Sequence, residues 1–289
     1  MRKKIVGVVI LMLVATTVVS ATNIAVKEQS QPISVGVDVP VWEVGDSWTY
    51  NMYSNEYGYT QNGTLWFLLY QTVRATCTVT DATGDNYTME VTAKNMVGNV
   101  TIGSYHLKFT SFTKETIQFV FRKTDLADMS QFFQEKGVVF WLIGNKGLPI
   151  PAQYKRTWGS VYTPAAVILP FPLIAGTQGN EPGYSYTYQQ KCSLYWGLIS
   201  LIDNPVKSYS AGSQHYHCEM ANITVPAGTY NAYNVSIDLQ YGAGHSHSWR
   251  YYVPEVGFFG KQYLDMDYDT SGKPAAHYEW ELVETNYTP

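Results

Sequence analysis

Charge is scarce in this sequence. Asp, Glu, Lys and Arg make up 15% of the 289 residues, against about 25% in an average soluble domain. Its surface must therefore rely on uncharged polar groups. Bases are fewer than acids, 19 against 23, and the first 21 residues hold three of those bases and no acid. Without that segment the formal charge moves from −4 to −7. No basic patch is left to neutralise phosphates, which excludes nucleic acid as an expected partner. Cysteine is limited to three copies, enough for one disulfide and one spare thiol. Beyond the N-terminus no apolar run reaches membrane length; Ala165 to Ile174 is cut by Pro170 and Pro172. Catalytic signatures are missing too. There is no Gly-x-Ser-x-Gly elbow, His-Glu-x-x-His or Gly-rich phosphate loop, and the carboxylates are scattered across turns and strand ends. The expectation is a non-enzymatic protein without a cofactor.

Aromatic residues are abundant: 24 Tyr, 8 Trp and 11 Phe. That content excludes a disordered chain. Met1-Arg2-Lys3-Lys4 followed by apolar Ile5 to Ser20 has the form of an export leader, with small residues at Val19-Ser20-Ala21. Residues 1–21 are expected to be a signal peptide cleaved after Ala21, the rival being an uncleaved anchor. Asn-x-Ser/Thr sequons begin at Asn62, Asn86, Asn99, Asn222, Asn234 and Asn286, where chance would give about two. They are expected to carry glycans on an exported, cell-surface protein.

Residues 22–39 read as a polar tether. From Val41 onward, short alternating runs separated by turn residues carry a strand signature. Val73, Ala75, Cys77 and Val79 alternate with Thr72, Arg74, Thr76, Thr78 and Thr80. Tyr230 to Tyr241 alternates too, placing Asn234, Ser236, Asp238 and Gln240 on the face expected to meet water. Leu126, Met129, Phe132 and Phe133, preceded by Thr124-Asp125 and followed by Gly137, predict one short helix near residues 125–136. Gly45-Asp46-Ser47-Trp48-Thr49-Tyr50 matches Gly183-Tyr184-Ser185-Tyr186-Thr187-Tyr188 at four of six positions. This repeat predicts two related antiparallel halves, residues 40–170 and 171–289. The fold class is thus all-β with minor α, as two curved sheets or half-barrels.

Three segments carry a resemblance. Trp42 to Tyr50, Thr224 to Tyr233 (with Val225-Pro226-Ala227-Gly228-Thr229-Tyr230) and Tyr251-Tyr252-Val253-Pro254-Glu255-Val256-Gly257 resemble exported archaeal surface proteins of unknown function. The second and third also look like the turns of lipoprotein-carrier (LolA-like) half-barrels and their relatives. That resemblance, covering mainly residues 213–284, implies a curved antiparallel sheet with helices across its concave face.

Candidate sites are few. Asp203-Asn204-Pro205 reads as a turn, and a hairpin centred there sets Cys192 opposite Cys218 as a disulfide, leaving Cys77 a buried thiol. His215 and His217 share one strand face, and His245 and His247 another, the only pattern with metal-ligand spacing. An intervening strand from Tyr230 to Tyr241 would hold the two pairs roughly 10 Å apart. Phe140, Trp141, Leu142 and Ile143, with Ala165 to Ile174, are candidates to line a groove beneath the helix for an acyl or isoprenoid chain. The expected function is non-enzymatic binding of a hydrophobic or lipid-like molecule. Carbohydrate binding and a structural envelope role are the alternatives, with membrane contact only through an uncleaved leader.

Overall fold

The computed structural model describes residues 36–59, 65–94, 96–102, 105–109, 114–142, 149–241, 244–268 and 274–289. The leader, most of the tether, Asn62 and Ile143 lie outside the described residues. Sixteen strands run in chain order: β1 (Ser47–Tyr59), β2 (Leu65–Asp81), β3 (Asn86–Lys94), β4 (Val97–Ile102), β5 (Tyr105–Phe109), β6 (Lys114–Arg122), β7 (Asp128–Leu142), β8 (Pro149–Ala166), β9 (Thr177–Glu181), β10 (Tyr184–Leu194), β11 (Ile199–Ala211), β12 (Gln214–Val225), β13 (Gly228–Tyr241), β14 (Gly244–Val253), β15 (Phe258–Tyr268) and β16 (Pro274–Thr285). Among the described residues the only helical element is a 3-10 turn at Tyr195–Gly197. The all-β, antiparallel class therefore holds, and the helices implied across a concave face are not among the described residues.

All sixteen strands belong to one sheet. Several are halves of longer strands. β3 and β4 lie end to end along β2, with Ala93 opposite Ala75 and Val97 opposite Thr72. β6 and β5 lie likewise along β7. Glu181 of β9 faces Gln214 of β12, and three residues on, Tyr184 of β10 faces Ala211 of β11, so the register runs unbroken through both joints. Gly183 sits at that joint, where a Cβ would lie 2.4 Å from the Ala211 carbonyl oxygen. β1 then bonds to β16, joining the first and last strands. The result is an up-and-down ring of antiparallel strands in sequence order, one solution to the exposed-edge problem. Its weak point is β11, whose outer edge carries no ladder to β13 among the described residues. Ladders β8–β10 and β1–β16 cross the expected boundary between residues 170 and 171.

Two sequence expectations are corrected here. Residues 128–136 are strand, not helix: Leu126 has a positive φ of 52°, Asp125 pairs with Arg122 in a turn, and β7 returns antiparallel to β6. Gln131, Phe133 and Glu135 point inward while Phe132 is 49% exposed. Polar residues on the inward face hid the two-residue period and left a spurious helical stripe. Second, Asp203-Asn204-Pro205 lies inside β11, where the register shifts opposite Tyr188 to Gln190. Such irregularities and unpaired edges are the positions a strand proline tolerates. The chain reverses at Tyr195–Leu198 instead, so Cys192 faces Ile202 while Cys218 faces Val235 and Thr177. All three cysteines are buried free thiols and no disulfide forms.

Inward side chains build two apolar clusters. The larger fills one end, where Trp42 packs on Trp48, Tyr87, Phe121 and Phe258 and donates Nε1–H to the Gly257 carbonyl at 3.0 Å. Gly257 closes the Pro254–Gly257 turn at φ +68°, a left-handed geometry that suits glycine. The smaller cluster gathers Leu69, Val100, Leu107, Val139, Tyr154, Cys192 and Ile202. Many outward positions are polar, as with Thr72, Arg74 and Thr76 on β2, with exposed Tyr70, Val97, Phe132 and Val161 as scattered apolar exceptions.

Candidate functional site

Between the two apolar clusters the inward positions turn polar. Strand alternation dictates which residues these are. β1 presents Met52, Ser54 and Glu56; β2 presents Gln71; β6 presents Glu115; β7 presents Gln131 and Glu135. β8 adds Arg156 between Tyr154 and Trp158, β10 adds Tyr188 and Gln190, and β16 adds Tyr278 and Trp280. Glu56, Glu115, Glu135, Arg156 and Gln190 are each at most 5% exposed. Much of this belt surrounds a cavity of about 80 Å³ whose apolar lining includes Val73, Ile117, Phe119, Phe133, Trp158 and Trp280. Phe119, Gln131 and Trp280 also line a second cavity of about 40 Å³, beside Asp128, Arg250 and Gln262.

The electrostatics are unusual for a protein core. Arg156 lies 4.0 Å from Glu135 and sits over the Phe133 ring at 5.5 Å. With the Gln190 amide turned to suit its neighbours, its oxygen accepts from Arg156 Nε at 3.2 Å and its nitrogen donates to Tyr188 at 3.2 Å. Gln71 donates to Glu115 at 3.3 Å, and Gln131 donates to Asp128. Several buried acceptors have no hydrogen-bond partner: Glu56 Oε2, Gln71 Oε1 and both oxygens of Glu135. Burial pushes Glu56 and Glu115 up to about 7 and Glu135 to about 8, against the pull of Arg156 and, for Glu115, of the Gln71 amide. Asp128 rises to about 8 for the same reason. Arg156 is held above its usual range because its carboxylate and phenol neighbours, Glu56 foremost, outweigh desolvation. Arg250 falls to about 10 by burial.

The residues singled out from sequence lie elsewhere. Phe140 is half-buried on β7 between Lys108 and Pro151; Trp141 and Leu142 follow it on the same strand. β7 is itself a wall of the ring, so the expected helix is not a lid over these residues, and no other helical lid occurs among the described residues. The histidines fall on the outer face. β13 does separate β12 from β14, and His215 and His247 flank the same residue, Asp238. This row continues across the strands to Asp265 and His277. His247 pairs with Asp238, His277 Nδ1 lies 2.6 Å from Asp265, and His215 contacts Asn180 at 3.3 Å. His217 and His245 stand on these same strands, outside that row. No group of three or more metal-ligating side chains occurs among the described residues.

Of the sequons, Asn99, Asn222 and Asn286 are exposed and Asn86 is half-buried at the start of β3. Asn234 is not turned to water: it is 8% exposed and donates to Glu219 at 3.1 Å. Residues 232–235 are all buried, which breaks the simple alternation expected of β13.

Sequence reasoning missed the polar belt. A signal was present, since Glu56 continues the parity of Trp48, Tyr50 and Met52, and Glu115 that of Ile117, Phe119 and Phe121. The fold and site together define an antiparallel β ring enclosing a polar-belted cavity. No protein-family model, curated protein or solved structure matches the chain.

Proposed function

We propose that this is an exported, non-enzymatic binding protein that encloses a small, largely apolar ligand within its ring of strands. One observation carries the reading: buried acceptors without partners are aimed at a cavity lined mainly by aromatic and aliphatic side chains. A core that served stability alone would satisfy or replace such groups, because each orphan costs about 1–3 kcal/mol. Convergent polar groups in an apolar pocket are the usual form of a ligand site. The leader supports export, and the polar outer face suits a protein surrounded by water.

Size limits the ligand. A cavity of about 80 Å³ is smaller than the roughly 150 Å³ cavity that admits benzene. As it stands it takes only a few heavy atoms, so a four-carbon group, worth about 3 kcal/mol before association costs, enters by displacing Phe119 or Trp280. A longer chain requires the two cavities to merge by movement of Phe119 or Trp280.

tert-Butanol is a suitable probe, with maltotriose as the carbohydrate comparison. The expected result is a saturable change in tryptophan emission with tert-butanol, weakened in Trp158→Phe and Trp280→Phe, and none with maltotriose. A response to maltotriose alone would favour carbohydrate binding on the outer surface, and no response to either would favour a structural role.

A further inference from the structure

The charge and hydrogen-bonding character of the belt specifies the ligand further. This step rests on the enclosed-ligand reading above. We infer that the cavity takes a compact organic cation of the alkylammonium class, held by Glu56 and Glu115 within the aromatic lining of Trp158, Phe133 and Trp280.

Three independent features converge. Carboxyl groups outnumber the guanidinium in the cavity lining: Glu56 on β1 and Glu115 on β6 against Arg156 on β8. An anionic ligand would meet two carboxyls for one cation. The orphaned carboxylate and amide atoms of residues lining this cavity are acceptors, Glu56 Oε2 and Gln71 Oε1. They call for a donor or a positive charge rather than another acceptor. The walls are aromatic, and a ring face attracts a desolvated cation. Arg156 over Phe133 already shows this contact inside the ring.

Protons compete with such a ligand. Glu56 and Glu115 line the cavity together with Arg156, Gln71, Gln131 and Tyr278, and Glu135, Gln190 and Tyr188 belong to the same buried belt. Burial favours the neutral forms of the three carboxyls near pH 7. An entering cation favours the carboxylates, so each bound cation displaces up to one proton from the belt into solvent. Affinity then rises with pH by at most tenfold per pH unit for each proton displaced, levelling off above about pH 8.

The experiment compares tetramethylammonium with its neutral near-isostere tert-butanol on the intact protein at constant ionic strength. Tryptophan emission and calorimetry are read at pH 5.5, 7 and 8.5. At pH 8.5 tetramethylammonium should bind at least tenfold more tightly than tert-butanol, and its affinity should fall at least tenfold by pH 5.5. Calorimetry in buffers of different ionisation enthalpy should show proton release near pH 7. Glu56→Gln and Glu115→Gln should each lower the ratio of tetramethylammonium to tert-butanol affinity at least tenfold. The wild-type comparison stands without the variants if either fails to fold. Equal binding of both probes with no pH dependence would overturn the cation assignment while leaving the enclosed-ligand reading intact. Binding of neither probe would overturn that reading and the assignment with it.

Discussion

Glu135→Gln tests the buried belt by its effect on stability. Glu135 is 0% exposed, and its carboxyl rises from an ordinary value of 4.5 to about 8 through burial, with Glu56 and Glu115 adding to the rise. Below about pH 4.5 it is protonated in both the folded and the unfolded chain. Between about 4.5 and 8 the unfolded chain gives up the proton while the folded chain keeps it, so stability falls as pH rises. Above about 8 the penalty is complete. At 1.36 kcal/mol per pKa unit, the ceiling is about 5 kcal/mol. Glutamine has nearly the same shape and never ionises. Glu56 remains as the main counter-charge of Arg156. The variant should therefore lie within about 1 kcal/mol of wild type at pH 5 and be about 3–5 kcal/mol more stable at pH 8.5. Urea denaturation at the two pH values reads both numbers. An unchanged difference between pH 5 and 8.5 would show that Glu135 keeps an ordinary pKa and that the belt is not buried as described.

Arg156→Met should do the opposite, costing about 3–5 kcal/mol at pH 8, where carboxylates lose their counter-charge, and less at pH 5, where they are neutral; urea midpoints at both pH values check it. The three thiols should resist a thiol reagent in the native protein and all react after denaturation. Burial pushes Cys192 up to about 12 and Cys218 to about 11, and a Cys192–Cys218 cross-link in unreduced peptides would contradict the strand order. On the outer face, the Asp265 hydrogen bond raises His277 above 6.5. This pair stabilises the fold below about pH 6.5 and loses that effect as pH climbs through the raised value. Asp265→Asn should return the His277 NMR titration towards 6.5, and no change would reject the pairing.

What sequence reasoning could see followed the polarity of the inward face. Where inward residues are apolar, as Val73, Ala75, Cys77 and Val79 are, the two-residue period is plain and the structure buries each of them. The Pro254–Gly257 and Pro226–Gly228 turns were likewise legible from proline and glycine alone. Where the inward face carries Gln131 and Glu135, the period vanishes and Leu126, Met129, Phe132 and Phe133 imitate a helix. The belt was invisible for the same reason. Its carboxylates come from β1, β6 and β7, and only closure of the ring brings Glu56, Glu115 and Glu135 beside Arg156. The disulfide failed on one local choice, reading Asn204-Pro205 as a turn when the bulged edge strand β11 accommodates it. No spacing rule relates Cys192 to Cys218 once that turn is gone.

The central claim is that three glutamates and Arg156 share a buried cavity belt inside the ring. Carboxyl-carbon NMR of glutamate-labelled protein, titrated from pH 3 to 10, reads those groups directly. Three resonances should titrate near pH 7 to 8, apart from the exposed glutamates near 4 to 5, and Glu56→Gln, Glu115→Gln and Glu135→Gln should each remove one of them. If every glutamate has titrated by pH 5, these carboxyls face water and the buried belt does not exist.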